Sequence, residues 1–150
     1  MTESTNIREI IDNLIDDWKN AAPIGFDINI LKVLELETIE KGNICYSMVV
    51  PQSLCNIINT LHGGAIGTIV DVVSSIAIVS MNPELPPSVS VEICVHYAAT
   101  AKLDEKIKVY SNVYKMGKNL AFTDTTIRNS KGDIVAKASH TKYIGFKPKL

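Results

Sequence analysis

The sequence has few cysteines and little excess of charge of either sign. Three cysteines, Cys45, Cys55 and Cys94, are an odd number with no CxxC pair, which excludes a disulfide framework and predicts buried, reduced thiols. Fifteen Lys and Arg stand against sixteen Asp and Glu, for a formal net charge of −1. Because nucleic-acid binding uses a strong positive field, we expect no nucleic-acid partner.

Signals for a metal site, for export and for a membrane span are also missing. No His, Cys or carboxylate cluster has the spacing of metal ligands, so we expect no metal and no organic cofactor. Residues 1–13 include acidic side chains and no continuous apolar stretch, which favours a cytoplasmic protein. Residues 65–81 are apolar but carry Asp71, which costs about 2.5 to 3.5 kcal/mol in a bilayer, so we expect no membrane span.

The length and the apolar content indicate one domain with a substantial core. The chain has 150 residues, 46% of them hydrophobic, and a chain of this length buries roughly two thirds of its unfolded surface. Apolar residues at helical spacing predict an amphipathic helix over about residues 5–20, which Pro23 and Gly25 end. We therefore predict a single domain over residues 1–150 that begins with this helix.

The remaining chain alternates like a sheet, with one exception. Alternating runs predict strands over residues 34–39, 44–50, 88–99, 106–116, 120–129 and 134–146, with Gly42 in the first turn and a loop over 51–61. Residues 65–81 are rich in Val and Ile but too long for a usual strand, and they sort into a small, polar stripe and an apolar stripe. We predict a buried helix that another backbone approaches closely. An α+β fold with one antiparallel sheet wrapped around this long central helix satisfies the order.

Two features at the central helix point to chemistry. The N–H of Gly63 or of Gly64, at the positive end of the helix, could bind a carbonyl oxygen that gains negative charge; alternatively, the two glycines merely start a tightly packed helix. Asp71, in an otherwise apolar helix, is either satisfied by Ser74 or Ser75 or acts as a general base or nucleophile.

The positions of Gly63 and Asp71 on one helix constrain any shared role. They lie about 12 Å apart along the axis, at about 1.5 Å per residue, which is too far to act on the same carbonyl group. If both are catalytic, they belong to different copies of the chain. We then expect a homodimer with its sites at the interface.

The segment from Asn56 through His62-Gly63-Gly64, together with Asp71 and residues 88–91, resembles the PaaI-type acyl-CoA thioesterases of the hotdog superfamily. The match continues through residues 101–103, 115–122 and 140–142 and covers nearly the whole chain after residue 20. The His-Gly-Gly triplet alone is a weak motif. Its combination with Asn six residues before it, Asp nine after the His and the Gly-Lys-x-x-Ala-Phe turn of residues 117–122 is much more specific. The resemblance implies a hotdog fold and hydrolysis of fatty or aryl acyl-CoA. It also implies that two dimers of the chain associate into a tetramer.

The resemblance also implies roles for individual residues. Gly63 would polarise the thioester carbonyl, Asp71 of the partner subunit would activate water or attack directly, and Asn56 and Ser90 would position the water or the leaving group. His62 would brace the loop, and His62 and Gly64 would lie beside the substrate. Contacts with coenzyme A are implied for Tyr97, Lys115, Gly117, Lys118, Asn119, Leu120 and Tyr143.

Two residues depart from the family pattern. Asn59 stands where glycine is common, although Asn tolerates left-handed backbone, and Cys94 stands where Asn is frequent.

Two alternative functions remain: a hotdog dehydratase or hydratase that uses a His and Asp pair, and a non-catalytic acyl-CoA binding protein. The arrangement of Asn56 and Asp71 favours hydrolysis.

Overall fold

A computed structural model of the protein describes residues 3–145. Six antiparallel strands form one sheet in the order β1-β2-β4-β5-β6-β3. The elements, with a 3-10 turn at Gln52–Leu54 between β2 and α3, are α1 (Glu3–Ala21), α2 (Ile28–Leu31), β1 (Glu35–Glu40), β2 (Asn43–Val49), α3 (Gly63–Met81), β3 (Val89–Tyr97), β4 (Lys106–Met116), β5 (Leu120–Arg128) and β6 (Ile134–Tyr143). The predicted α+β fold is confirmed; residue 146, the expected end of the last strand, lies outside the described residues.

The central helix α3 forms because the sheet wraps around its apolar stripe. Ile69, Val70, Val73 and Ala77 are completely buried, and they recur at the spacing that puts them on one helical face. By length and composition α3 is the helix among residues 3–145 that could cross a membrane, but 61% of its apolar window is buried inside the fold. It is a core helix. On the opposite stripe, a Cβ at Gly67 would meet nothing within 4 Å, so the expected close backbone approach does not occur there within one chain.

The N-terminal helix α1 lies across the open side of this core. Ile11 and Ile15 are buried in the main hydrophobic cluster, and Leu14 and Trp18 pack against it while half-buried. The Arg8 guanidinium donates to the main-chain oxygens of Leu36 and Glu37, at 3.3 and 2.8 Å. The helix is therefore fixed to β1 by polar contacts and to the core by its apolar face.

Strand β3 is an edge of the sheet, and its outer side is open. It pairs with β6 alone among the described strands, and Val89, Val91 and Tyr97 are 49%, 60% and 57% exposed. Cys94 is also exposed on this strand and Cys55 is half-buried, so the prediction of three buried thiols is correct for Cys45 and wrong for Cys94. The Cys94 thiol lies on the side of β3 that no other part of residues 3–145 covers.

The turn between β1 and β2 is joined to the end of α3 by one hydroxyl group. Gly42 adopts a φ of +78°, and its N–H donates to Ser80 Oγ at 2.9 Å. The Ser80 hydroxyl in turn donates to the main-chain oxygen of Ala77 at 2.7 Å, and its side chain is 1% exposed. A buried N–H without a partner is costly, so this contact ties the hairpin to the helix.

We expect Ser80→Ala to lower the free energy of unfolding by about 1 to 3 kcal/mol, because it leaves the buried Gly42 N–H unsatisfied. Urea denaturation monitored by circular dichroism measures this loss. Ser53→Ala, at an exposed position, is the control and should change stability by less than about 0.5 kcal/mol. Equal stability of the Ser80 variant and wild type would contradict the assignment.

Candidate active site

Asp71 lies in the middle of α3 and faces a lysine from the sheet. Its Oδ1 is 3.3 Å from Lys142 Nζ on β6 and 3.4 Å from Ser75 Oγ, and Lys142 Nζ donates to Ser75 Oγ at 2.7 Å. The Lys142 side chain is 8% exposed, whereas that of Asp71 is 39% exposed. Because a buried ammonium requires a partner, Asp71 and Ser75 stabilise Lys142 while the carboxylate keeps access to solvent.

A buried histidine lies directly beside this pair. His140 on β6 is 1% exposed; its Nδ1 is 2.7 Å from Ser74 Oγ and its Nε2 is 2.9 Å from Ser90 Oγ. Burial and, to a smaller extent, the Lys142 ammonium lower the pKa of His140 to about 4, although the Asp71 carboxylate opposes both. His140 is therefore neutral at neutral pH, and it holds Ser90 on β3 beside Asp71.

The N-terminus of α3 forms a second polar group. His62 Nδ1 accepts the N–H of Gly64 at 2.8 Å as the cap of the helix. Gly63 is the first residue of the helix, so its N–H has no intrahelical partner. Tyr97 on β3 donates its hydroxyl to the Gly63 carbonyl at 3.1 Å. Of the two glycines that the sequence offered as donors, the geometry therefore selects Gly63.

The loop before α3 is organised by Asn56. Its Oδ1 accepts the N–H groups of Ile58 and Thr60, both at 3.1 Å, and its Nδ2 donates to Thr60 Oγ1 at 2.8 Å. Asn59 has a φ of +57°, the left-handed backbone that its Asn-for-Gly replacement was expected to tolerate. The turn projects Ile57 and Ile58, which are 101% and 69% exposed, away from the chain. Within one chain, the Asn56 side chain thus shapes the loop.

The predicted catalytic residues fall into two separate groups. Asp71 and Ser90 lie together, and Gly63 and Asn56 lie with the loop and the helix terminus. Gly63 and Asp71 share the continuous helix α3, about 12 Å apart along its axis. On β3, the Ser90 end and the Tyr97 end are separated by about 24 Å at about 3.4 Å per residue. One chain does not bring the two groups together.

The residues expected to contact coenzyme A occupy two places. Tyr97 lies with the Gly63 group. The exposed Lys115, Gly117, Lys118 and Asn119 lie at the turn between β4 and β5, where the Gly117 N–H donates to the Leu120 carbonyl at 2.8 Å. Leu120 pairs with Tyr143, which pairs with Val89, the residue before Ser90. The turn is therefore at the end of the sheet where Ser90 and Lys142 lie.

A cavity of about 620 Å³ opens beside the polar group formed by Asp71, Ser75 and Lys142. Asp71, Ser75, Ser90 and Lys142 line one part of it, and the rest is mostly apolar, from α1, α3 and the proline-rich segment before β3. A largely apolar cavity with a few convergent polar groups is typical of a small-molecule site. The arrangement provides a carboxylate, oriented by a lysine, at the edge of an apolar space.

Comparison with known proteins decides the family. The model of the thioesterase superfamily matches residues 58–136. Human acyl-coenzyme A thioesterase 13 is 36% identical over 117 residues, 77% of this chain and 83% of that protein. The chain belongs to the thioesterase superfamily. The family and the thioester hydrolase class predicted from the sequence are thereby confirmed.

Solved thioesterase structures agree with this assignment. The crystal structure of zebrafish thioesterase superfamily member 2 has a TM-score of 0.81 and 31% identity, over 90% of this chain and 98% of that one. A Streptococcus pneumoniae thioesterase solved with coenzyme A has a TM-score of 0.73 and 26% identity, over 79% of this chain and 91% of that one. Both contain the fold described above, so the hotdog prediction is confirmed.

The resemblance to the thioesterases implies no role for two residues of this site, His140 and Lys142, although both fall within the matched residues 140–142. Both lie two residues apart on β6, which places them on one face of the strand, the face against which α3 packs. Polar residues at that spacing in a buried strand were the available signal.

The described part of this thioesterase, residues 3–145, contains no group of three His, Cys, Asp or Glu residues that could hold a metal ion. The His62, His96 and His140 side chains lie in different surroundings: the helix cap, the exposed face of β3 and the buried face of β6. That the reaction requires no metal or organic cofactor stays a prediction.

The low pKa of His140 predicts a pH-dependent stability. The unfolded imidazole binds a proton near pH 6.5, whereas the folded one does so near pH 4, so the folded state loses stability as the pH falls through this window. The loss reaches about 3 kcal/mol at pH 4. Denaturant unfolding of wild type and of His140→Gln at pH 7 and pH 4 measures it.

We expect the loss between pH 7 and pH 4 to be about 3 kcal/mol smaller in His140→Gln than in wild type. His96→Gln, at an exposed position on β3, should follow wild type. Parallel losses in wild type and His140→Gln would mean that the folded His140 titrates normally.

Proposed function

We propose that the protein hydrolyses the thioester bond of acyl-CoA, in a site that two copies of the chain share. The observation that carries this proposal is the Asp71 carboxylate, oriented by Lys142 in the lining of a largely apolar cavity. Membership in the thioesterase superfamily and the similarity to human acyl-coenzyme A thioesterase 13 support the substrate class. The pneumococcal structure with coenzyme A supports binding of the carrier.

The first step is attack by water. Oδ1 of Asp71 is the oxygen that contacts Lys142 and Ser75, so the carboxylate is fixed in orientation. It takes a proton from a water molecule as the water oxygen bonds to the thioester carbon. Ser90, held by His140, helps to position that water. Such a general base contributes typically about 10²- to 10⁴-fold in rate.

The carbonyl oxygen then becomes negatively charged and needs a donor. The N–H of Gly63, at the positive end of α3, is this donor. Asn56 on the adjoining loop helps to position the water or the leaving group. As the carbon–sulfur bond breaks, the coenzyme A thiolate takes the proton that Asp71 received. The acid and the thiol are released, and the carboxylate is restored.

Association of two copies explains how distant groups meet. In an antiparallel pairing of two β3 edges around a two-fold axis, the Ser90 end of one strand approaches the Tyr97 end of the other. This juxtaposes Asp71 and Ser90 of one copy with Gly63 and Tyr97 of the partner subunit. The exposed apolar residues of β3 would be covered at the same time. Pairing of two dimers into a tetramer stays a prediction.

The buried position of His140 excludes it as the proton donor of a dehydratase. Within one chain His140 is the histidine beside Asp71, at 3.9 Å, but its side chain is completely inaccessible, so it cannot exchange protons with a substrate. We further propose that Lys115, Lys118 and the turn between β4 and β5 contact coenzyme A. We also propose that the reaction needs no metal or organic cofactor and that the protein is cytoplasmic. Free thiols at Cys45, Cys55 and Cys94 agree with a reducing compartment.

We expect Asp71→Asn to lower kcat for acyl-CoA hydrolysis by at least about a hundredfold, because the amide cannot accept the proton of water. Release of coenzyme A, followed with a thiol reagent across acyl chains, measures this loss. Asp124→Asn, at an exposed position on β5, is the matched control and should retain wild-type turnover. A loss below about threefold would remove Asp71 from the mechanism, and tight binding without turnover in wild type would indicate a binding protein.

We expect Gly63→Pro to lower kcat by about 10²- to 10³-fold, because it removes the N–H donor. Proline is tolerated at the first position of a helix, and the extended ψ of 137° at His62 suits a residue before proline. Gly63→Ala retains the N–H, and its Cβ would lie at an ordinary 3.5 Å from the Tyr97 ring. Measured beside it, Gly63→Ala should therefore lose far less activity.

A mixture of the Asp71→Asn and Gly63→Pro proteins, unfolded and refolded together, tests the shared site. Mixed dimers contain one site with both intact groups, so about a quarter of wild-type activity should return. Each variant refolded alone should stay inactive. No recovery in a mixture that sedimentation identifies as dimeric would place both groups in one chain, against the geometry of α3.

A further inference from the structure

We propose that Trp18 of α1 closes the acyl-binding cavity and so limits the length of the acyl chain that the enzyme accepts. This inference rests on the proposed function, since it assigns the cavity beside Asp71 to the acyl group. It names a specificity-determining residue outside the catalytic groups, on a helix that the hydrolytic mechanism does not use.

The cavity beside Asp71 is shaped for an aliphatic chain. Asp71, Ser75, Ser90 and Lys142 supply most of its polar lining, to which Asp27 and Ser88 contribute, and its other walls are apolar. Along α3 it is lined by Asp71, Val72, Ser75 and Val79. From Asp71 to Val79 the helix rises about 12 Å. An extended chain advances about 1.2 Å per bond, as three backbone bonds span at most about 3.6 Å, so the cavity accommodates about ten bonds.

A second cavity lies behind Trp18. It has a volume of about 410 Å³ and is formed by the end of α1, the following turn and α2. Trp18, Asp27 and Leu31 line both cavities. These three side chains therefore form the partition between them, and the indole ring of Trp18 is its largest component. Removing the indole joins the two spaces.

The position of Trp18 on α1 makes it suitable for this role. The core-facing residues of the helix are Ile11 and Ile15, which are 0% and 7% exposed, whereas Trp18 is half-buried. The attachment of α1 to β1 through Arg8 lies about two to three turns away along the helix. The indole thus contributes a wall without being the main anchor of the helix.

The test compares chain-length profiles of wild type and Trp18→Ala. Release of coenzyme A is measured as kcat/KM over a series of saturated straight-chain acyl-CoA substrates. In wild type, kcat/KM should rise about fourfold per added methylene group up to about ten carbons, and then stop rising. In Trp18→Ala the rise should continue, so that the ratio of long-chain to ten-carbon kcat/KM increases at least about tenfold.

Two controls separate chain length from general loss of packing. Ile15 is a buried side chain of the same helix and lines neither cavity. Ile15→Ala should therefore leave the ratio of long-chain to ten-carbon kcat/KM unchanged. Ala22 lines the second cavity and not the first. Adding Ala22→Phe to Trp18→Ala refills that space and should return the ratio toward wild type. Thermal unfolding verifies that each variant is folded; if Trp18→Ala is not, Trp18→Phe should shift the ratio in the same direction by a smaller factor.

The outcomes distinguish the inference from the proposed function. If wild type hydrolyses acyl-CoA and the folded Trp18 variants keep the wild-type ratio, the role of Trp18 is wrong and the proposed function stands. If wild type releases no coenzyme A, the proposed function fails, and calorimetric binding of the same intact acyl-CoA series decides the role of the cavity. Affinity that depends on chain length and extends in Trp18→Ala would support the inference; affinity independent of length would overturn it.

Discussion

The rigidity of α3 is the constraint on which the rest of the structure depends. A helix of 19 residues fixes the separation between its N-terminus and its middle, and the sheet packed on its apolar stripe prevents it from bending. The proposed donor Gly63 and the proposed base Asp71 are therefore held apart by about 12 Å. A thioester carbon and its carbonyl oxygen are adjacent atoms. The helix that creates both groups makes them unusable together within one chain.

Pairing of two open β3 edges is the solution that we propose for this separation. An edge strand with unpaired main-chain groups and exposed apolar side chains is a template for pairing with another strand. Both ends of β3 are joined to α3: Ser90 is linked to Ser74 through His140, and Tyr97 donates directly to Gly63. Antiparallel pairing of two such edges would bring opposite ends together. Burial of the edge and completion of the site would then be one event.

The polar group beside Asp71 is costly to bury. Desolvation of an ammonium costs several kcal/mol, and the attraction of a carboxylate repays it only with good geometry and further hydrogen bonds. Lys142 has both, since it contacts Asp71 and donates to Ser75. The neutral His140 completes the network by joining Ser74 on α3 to Ser90 on the edge strand. The network fixes the carboxylate and the serine relative to each other, which a reaction that needs an oriented water requires.

The sequence was sufficient to predict the fold and to single out one member of the Asp71–Lys142 pair. Periodicity identified α3 and all six strands, because burial by the sheet imposes a pattern of 3.6 on the helix and of two on the strands. Asp71 was conspicuous as an acid among apolar residues. Its partner Lys142 was not, because 71 residues separate the two in the chain and strand pairing alone brings them together.

The wrong prediction for Cys94 shows a further limit of sequence patterns. Cys94 was expected in the core because its neighbours are apolar, yet it lies on the exposed side of β3. An apolar environment in sequence indicates that a segment will be covered; it does not say by what. On β3 the residues with a partner inside the chain, such as Ile93 and Val95, pack on the core. Val91 and Cys94 face outward, where a second copy of the chain can cover them.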